Sequence, residues 1–192
     1  TLATSWVQFT ELGIDGDLYY ETLSGQLEVS RLGDSLKMDF PSELPLRIDC
    51  DGPIGEAVGC DGKAYYATGT RKLLFEIAGC EKLEGLHPDF SALEKLSVGV
   101  PVRGLIVTCN GGGEFDFFSR YFAPWVGINE DPVTGSAHTV LGPFWSERLG
   151  KEKLQAYQAS HRGGEIRLEI LDGNRISIIG NAVTVIRGQM SI

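Results

Sequence analysis

Between Glu130 and His138 the chain reads EDPVTGSAH, which sets acidic residues, a stiffening proline and a Thr-Gly-Ser turn directly before an apolar helical pattern. A helix start leaves backbone N–H groups without intrahelical acceptors and carries the positive end of the helix dipole. A substrate carboxylate or phosphate could therefore sit against Thr134, Gly135 and Ser136. The same letters also fit a plain N-cap at Thr134 or Ser136 with Asp131 as a loop residue. His138 falls in the first turn, where it either lines a cleft or packs. Arg120, upstream, suits a loop anchor or a carboxylate partner better than a substrate contact.

The helix that must carry this turn runs to Gly150, with Ala137, Val140, Leu141, Phe144, Trp145 and Leu149 at helical spacings. Pro143 inside it predicts a kink or a delayed start. Strands are expected at 102–109 and 115–121 before the motif, with Gly111-Gly112-Gly113 as their turn. After it they are expected at 154–160, 165–170, 175–179 and 182–186. His161-Arg162 precede a Gly-Gly that suggests a bulge. The front of the chain reads as a helix over 1–12 ended by Gly13, a turn over 21–25, and a hairpin of 26–31 with 36–40 that puts Leu36, Met38 and Phe40 on one face. Between them lie a short helix at 52–58, strands at 64–68 and 73–77, and a helix at 90–96. Pro41 to Pro45 is the expected domain boundary, dividing a unit 1–43 from a unit 44–192.

With 192 residues, 42% hydrophobic and 22% charged, the chain can bury a core. The net charge of −9 and the lack of basic clusters argue against nucleic acid as a partner. No apolar run is long enough to span a bilayer. Cys50, Cys60, Cys80 and Cys109 form no CxxC and have no histidine pair nearby, so they read as core thiols of a reducing cytoplasm, with neither a metal site nor a disulfide. The glycines form no phosphate-loop or dinucleotide fingerprint, and no cofactor is expected.

The chain also repeats itself. Leu12-Gly13 recurs as Leu149-Gly150, 137 residues on; the strand after Ser24-Gly25 recurs after Gly163-Gly164 at 139, and the strand from Leu36 recurs from Ile176 at 140. A near-constant offset through helix, strand, turn and strand indicates duplication. The second copy has strands and a motif loop before its helix, whereas the first begins with the helix under way, so the first domain is expected to be incomplete. Two such halves would face their helix starts across one cleft.

EDPVTGSAH, with SRYFAP at 119–124, QASHRGG at 158–164, Gly180-Asn181-Ala182-Val183 and Met38-Asp39-Phe40-Pro41, resembles the phenazine-biosynthesis PhzF-like isomerases. Thr1-Leu2-Ala3 looks like the end of that family's Gly-His-Ala-Thr-Leu-Ala motif. The resemblance implies an α+β fold of the diaminopimelate-epimerase type, in which pseudo-duplicated domains each wrap a curved sheet around a central helix. It implies a cofactor-free isomerase that shifts a proton on a small carboxylate-bearing molecule at an inter-domain cleft, in the cytoplasm and compatible with a homodimer. Asp131 would be the catalytic residue that orients substrate and proton traffic, with Thr134, Gly135, Ser136 and His138 as substrate contacts. The family's catalytic glutamate and histidine match nothing here, so the resemblance places them in a segment before Thr1 and leaves this chain inactive by itself. A binding protein of the same fold is the alternative. A two-thiol amino-acid epimerase is disfavoured, because Ser136 stands where the second thiol would be and a serine hydroxyl is far too weak an acid for that role.

Overall fold

Apolar–polar alternation builds the strands, and their inward sets face helices on two sides. The structure, a computed structural model, describes residues 1–22 and 25–189, so Leu23 and Ser24 of the expected turn lie outside the described residues. Helix α1 (Leu2–Thr10) is followed by a meander of β1 (Leu18–Thr22), β2 (Gly25–Leu32) and β3 (Ser35–Pro41). Next come β4 (Leu46–Arg47), α2 (Asp51–Val58), β5 (Gly62–Ala67), β6 (Lys72–Ile77), α3 (Cys80–Glu84) and α4 (Phe90–Lys95). The motif region comprises β7 (Gly104–Gly112), β8 (Phe115–Ala123), β9 (Ile128–Glu130) and α5 (Gly135–Leu149), and the chain closes with β10 (Lys153–Gln158), β11 (Gly164–Leu171) and β12 (Arg175–Gly180).

The strands form one continuous open sheet in the order β1-β2-β3-β12-β11-β10-β8-β7-β6-β5-β4, with β9 branching from β8. Two parallel pairs, β6 with β7 and β8 with β10, are joined by helical crossovers, α3 and α4 for the first and α5 for the second. Period-two alternation divides shared strands between two cores. Leu74, Ile106, Phe117 and Tyr121 face the core around α5, while Leu73, Phe75, Val107 and Phe122 face the one around α2, α3 and α4. Helix α5 is buried nearly all round, as expected of a central helix. Gly142 lets it approach β12, since a Cβ there would lie 2.1 Å from Ile176 Cδ1.

The duplication is visible in the register. Leu18 opposes Val29 and Val29 opposes Met38 in the first meander; Leu154 opposes Leu168 and Leu168 opposes Ile178 in the second. The offsets of 139 and 140 equate Val29 with Leu168 and Met38 with Ile178, and the strand pairing adds Leu18 with Leu154. The meanders meet where β3 pairs antiparallel with β12, and Met38 there opposes Ile178, its own counterpart at the offset of 140. Leu36 and Met38 are buried and Phe40 is half-buried.

Four expectations are corrected. The segment 182–186 is not a strand: the ladder stops at Gly180, and the chain runs beside α1, held by Trp6 Nε1 donating to Thr184 Oγ1 (3.3 Å) and by Arg187 on Glu11 (2.6 Å). With no partner strand, Val183, Val185 and Ile186 stay exposed. Pro143 does not delay α5, which starts at Gly135 and continues through it. The Thr139 carbonyl that a residue-143 N–H would have used accepts instead from Glu43 N–H at 3.1 Å. Cys80 and Cys109 form a disulfide rather than two thiols: the turn from β6 into α3 brings Cys80 beside β7, with the two Cα atoms 5.6 Å apart. Gly111 and Gly112 belong to β7, and the turn falls on Gly113 and Glu114.

Candidate active site

Strand β8 delivers the motif loop. Arg120 is clamped by a two-point pair to Glu130, with Nε to Oε1 at 2.7 Å and Nη2 to Oε2 at 2.9 Å. Its Nη1 donates to the carbonyls of Leu83 (3.1 Å), in α3, and Leu86 (2.9 Å), just after it. Planar bidentate pairing of this kind fixes direction as well as distance. The Asp131 N–H then donates to the Tyr121 carbonyl at 3.1 Å, so the loop leaves the sheet at a fixed point.

From there the loop closes on itself. Thr134 is the N-cap residue of α5, but its hydroxyl donates to the Asp131 carboxylate instead of capping the helix. Gln158, on β10 and fully buried, holds both ends of the loop: Nε2 donates to the Asp131 carbonyl (2.7 Å) and Thr134 Oγ1 (3.2 Å), and Oε1 accepts the Thr134 N–H (2.8 Å). Ser160 Oγ donates to the Pro132 carbonyl at 2.7 Å and accepts the Gly163 N–H at 3.0 Å. Sequence reasoning gave Gln158 no role. The available signal was a polar residue at an inward position, in step with Leu154 and Ala156.

Among the described residues the Gly135 and Ser136 amides have no protein acceptor, and both residues are exposed, with Asp131 half-buried beside them. The outcome is two free N–H groups at a helix start next to an oriented carboxylate. Thr134 is buried and serves the loop. His138, in the first turn of the helix, is fully buried, stacked at 6.1 Å on the Phe117 ring. Its Nδ1 donates to the Thr134 carbonyl at 2.8 Å, which leaves Nε2 a sealed lone pair without a partner. Burial drives its pKa down to about 4, against a smaller upward pull from the Thr134 carbonyl, so the ring is neutral at pH 7.

Two crevices of ≈ 560 and ≈ 580 Å³ share Cys60 and contain no residue of the motif: the first is lined by α2 and the turn into β5, the second by the end of α2, that turn and the end of α3. Among the described residues no helix is long and apolar enough to cross a membrane, and no group of three or more His, Cys, Asp or Glu is placed to hold a metal ion.

The family model for phenazine biosynthesis-like proteins matches residues 1–188. The chain belongs to that family. A Pseudomonas aeruginosa protein described as an uncharacterized isomerase is 41% identical over all of this chain and 71% of its own length. The crystal structure of a PhzF-family protein from Enterococcus faecalis superimposes with a TM-score of 0.91 at 38% identity, covering the whole chain and 71% of that protein. A hydroxyproline epimerase from Agrobacterium vitis shares the fold alone, at a TM-score of 0.55 and 12% identity over 94% of this chain and 63% of its own. The α+β, pseudo-duplicated epimerase-type architecture is thus that of the family.

Proposed function

We propose that this chain supplies one wall of an isomerase site, where the Gly135 and Ser136 amides hold a carboxylate of a small substrate and Asp131 guides a proton between two of its carbons. The observation that carries this reading is the pair of acceptor-less amides at the α5 start beside a carboxylate whose direction is set by Thr134. Preorganised donors of this sort stabilise a developing anion without having to reorient, which is what proton removal next to a carboxylate requires. Thr134, Gln158 and the Arg120–Glu130 clamp position the loop, and neutral His138 supports it from inside. We assign the carboxylate base that removes the proton to the facing domain, as the resemblance implies. That assignment makes the chain inactive by itself.

Exchange of substrate C–H for solvent deuterium tests this across a panel of small carboxylates. The 192-residue chain is compared alone and joined to the remaining segment of the Enterococcus faecalis relative. We expect exchange only in the joined protein, with Asp131→Asn lowering it by about 10²-fold or more. Ser136→Ala should weaken binding more than rate, because the amides remain. Undiminished exchange in Asp131→Asn would reduce that residue to a loop anchor, and saturable binding without exchange would favour the non-catalytic binding protein.

A further inference from the structure

Among the described residues Lys72 is the one lysine or arginine that is buried, at 6% exposure. Among those residues its ammonium has neither an ion pair nor a hydrogen bond, and it lies 5.9 Å from the centre of the Tyr121 ring. The sealed side-chain atoms without partners are those of Thr70, Ser119, His138 and Ser177, so the ammonium keeps a path to solvent. Lys72 opposes Gly104 in the parallel register of β6 and β7. Gly104 is where the Tyr121 hydroxyl rests, for a Cβ there would lie 2.1 Å from Tyr121 Oη. Arg103, exposed and next to Gly104, bonds through its N–H to the Arg71 carbonyl at 2.8 Å. Arg71 itself sits at φ 55, a left-handed conformation that a non-glycine residue seldom adopts.

We propose that Lys72, Arg103 and the Tyr121 hydroxyl form a subsite for a carboxylate of the substrate, beside Asp131 and separate from the α5 amides. A buried ammonium without a counter-ion is costly unless something supplies the charge. Here the nearest charges are unhelpful, since Arg103 repels it and Glu43 offsets that only in part. Glu43 is already engaged, its carboxylate accepting the Gly69 N–H at 3.0 Å. Burial and Arg103 together bring the Lys72 pKa down to about 8. Burial first, then Asp131, pushes the Tyr121 phenol up to about 12, so it remains an O–H donor. Two cations and a phenolic donor match the needs of a carboxylate, and Gly104 makes the room that lets the phenol lie beside Lys72. The subsite adjoins the proposed site, because the Tyr121 carbonyl holds the Asp131 N–H.

This proposal rests on the carboxylate-substrate reading, and the test separates the two. The ¹⁵N-labelled chain is titrated with acetate, succinate and inorganic phosphate, following the amides of Lys72, Arg103 and Gly104 alongside those of Gly135 and Ser136. Acetate or succinate is expected to shift the first group saturably. Lys72→Met and the surface variant Arg103→Gln should each weaken that binding at least tenfold while leaving the response at Gly135 and Ser136 unchanged. Unaltered affinity in both variants, or binding of phosphate without either carboxylate, overturns the subsite. Shifts confined to Gly135 and Ser136 overturn it too but leave the proposed function standing, whereas no shift in either group counts against both.

Discussion

Replacing Gln158 by leucine should loosen the motif without emptying the core, because the two side chains are close in size. Three hydrogen bonds disappear: one donated by the Thr134 N–H, one accepted by the Asp131 carbonyl and one accepted by Thr134 Oγ1. Thr134 is buried, so its amide is left unsatisfied at about 1–3 kcal/mol; the half-buried Asp131 can recover part of its loss from water. A total of about 2–4 kcal/mol follows. Urea denaturation followed by circular dichroism measures it, and ¹⁵N spectra should show the Gly135 and Ser136 amides moved or broadened. Gln158→Glu is the informative companion. It keeps an acceptor for Thr134 but sets a carboxylate against the Asp131 carbonyl oxygen, so its deficit should shrink at acid pH, where a protonated acid can donate again. A loss below about 0.5 kcal/mol in Gln158→Leu, with both amides unmoved, would refute the loop-closing role.

Three further outcomes are expected. His138 has a folded pKa near 4, below its ordinary value of 6.5, so the unfolded chain takes up the proton first and stability is lost as pH falls through that window. His138→Gln should therefore lose less stability than wild type between pH 7 and pH 5 in urea melts, and identical pH slopes would contradict this. Gly142→Ala gains helix propensity but drives a Cβ to 2.1 Å from Ile176 Cδ1, for a net cost of about 1–3 kcal/mol. Adding Ile176→Val, which removes that methyl, should recover stability in a double-mutant cycle. Opening the Cys80–Cys109 bridge, which closes a 29-residue separation, should cost about 2–4 kcal/mol. Equal melting temperatures for wild type and Cys80→Ser under non-reducing conditions would argue against the bridge.

The hairpins, the helix after the motif and the duplication were legible because each rests on local signals: alternation in β2, β3, β11 and β12, the glycine stop at 150, and matched spacings. What escaped depends on neighbours distant in sequence. Pro143 looked disruptive because the donor for the Thr139 carbonyl comes from Glu43, and Cys80 met Cys109 only through the turn into α3. Residues 182–186 alternate like a strand, but alternation states what a strand would bury and not whether an edge is there to receive it. At the candidate site the two free amides followed from helix-start chemistry, whereas the closure by Gln158 and the inward turn of His138 depend on where β10 and Phe117 lie.

The ladder joining β3 to β12 has the geometry of an isologous contact, with the symmetry axis at the Met38–Ile178 pair. Under that axis the pair Leu36–Gly180 maps onto Ile176–Phe40. Two identical subunits would have to keep those pairs identical, because every substitution would land on both sides of the axis at once. One chain is free of that constraint. Gly180 stands where Phe40 stands in the other half, and the space it leaves lies against Leu2 of α1, 3.6 Å from where a Cβ would be. A symmetric frame whose halves mutate independently can keep a common architecture while its two helix starts take on unlike chemistry.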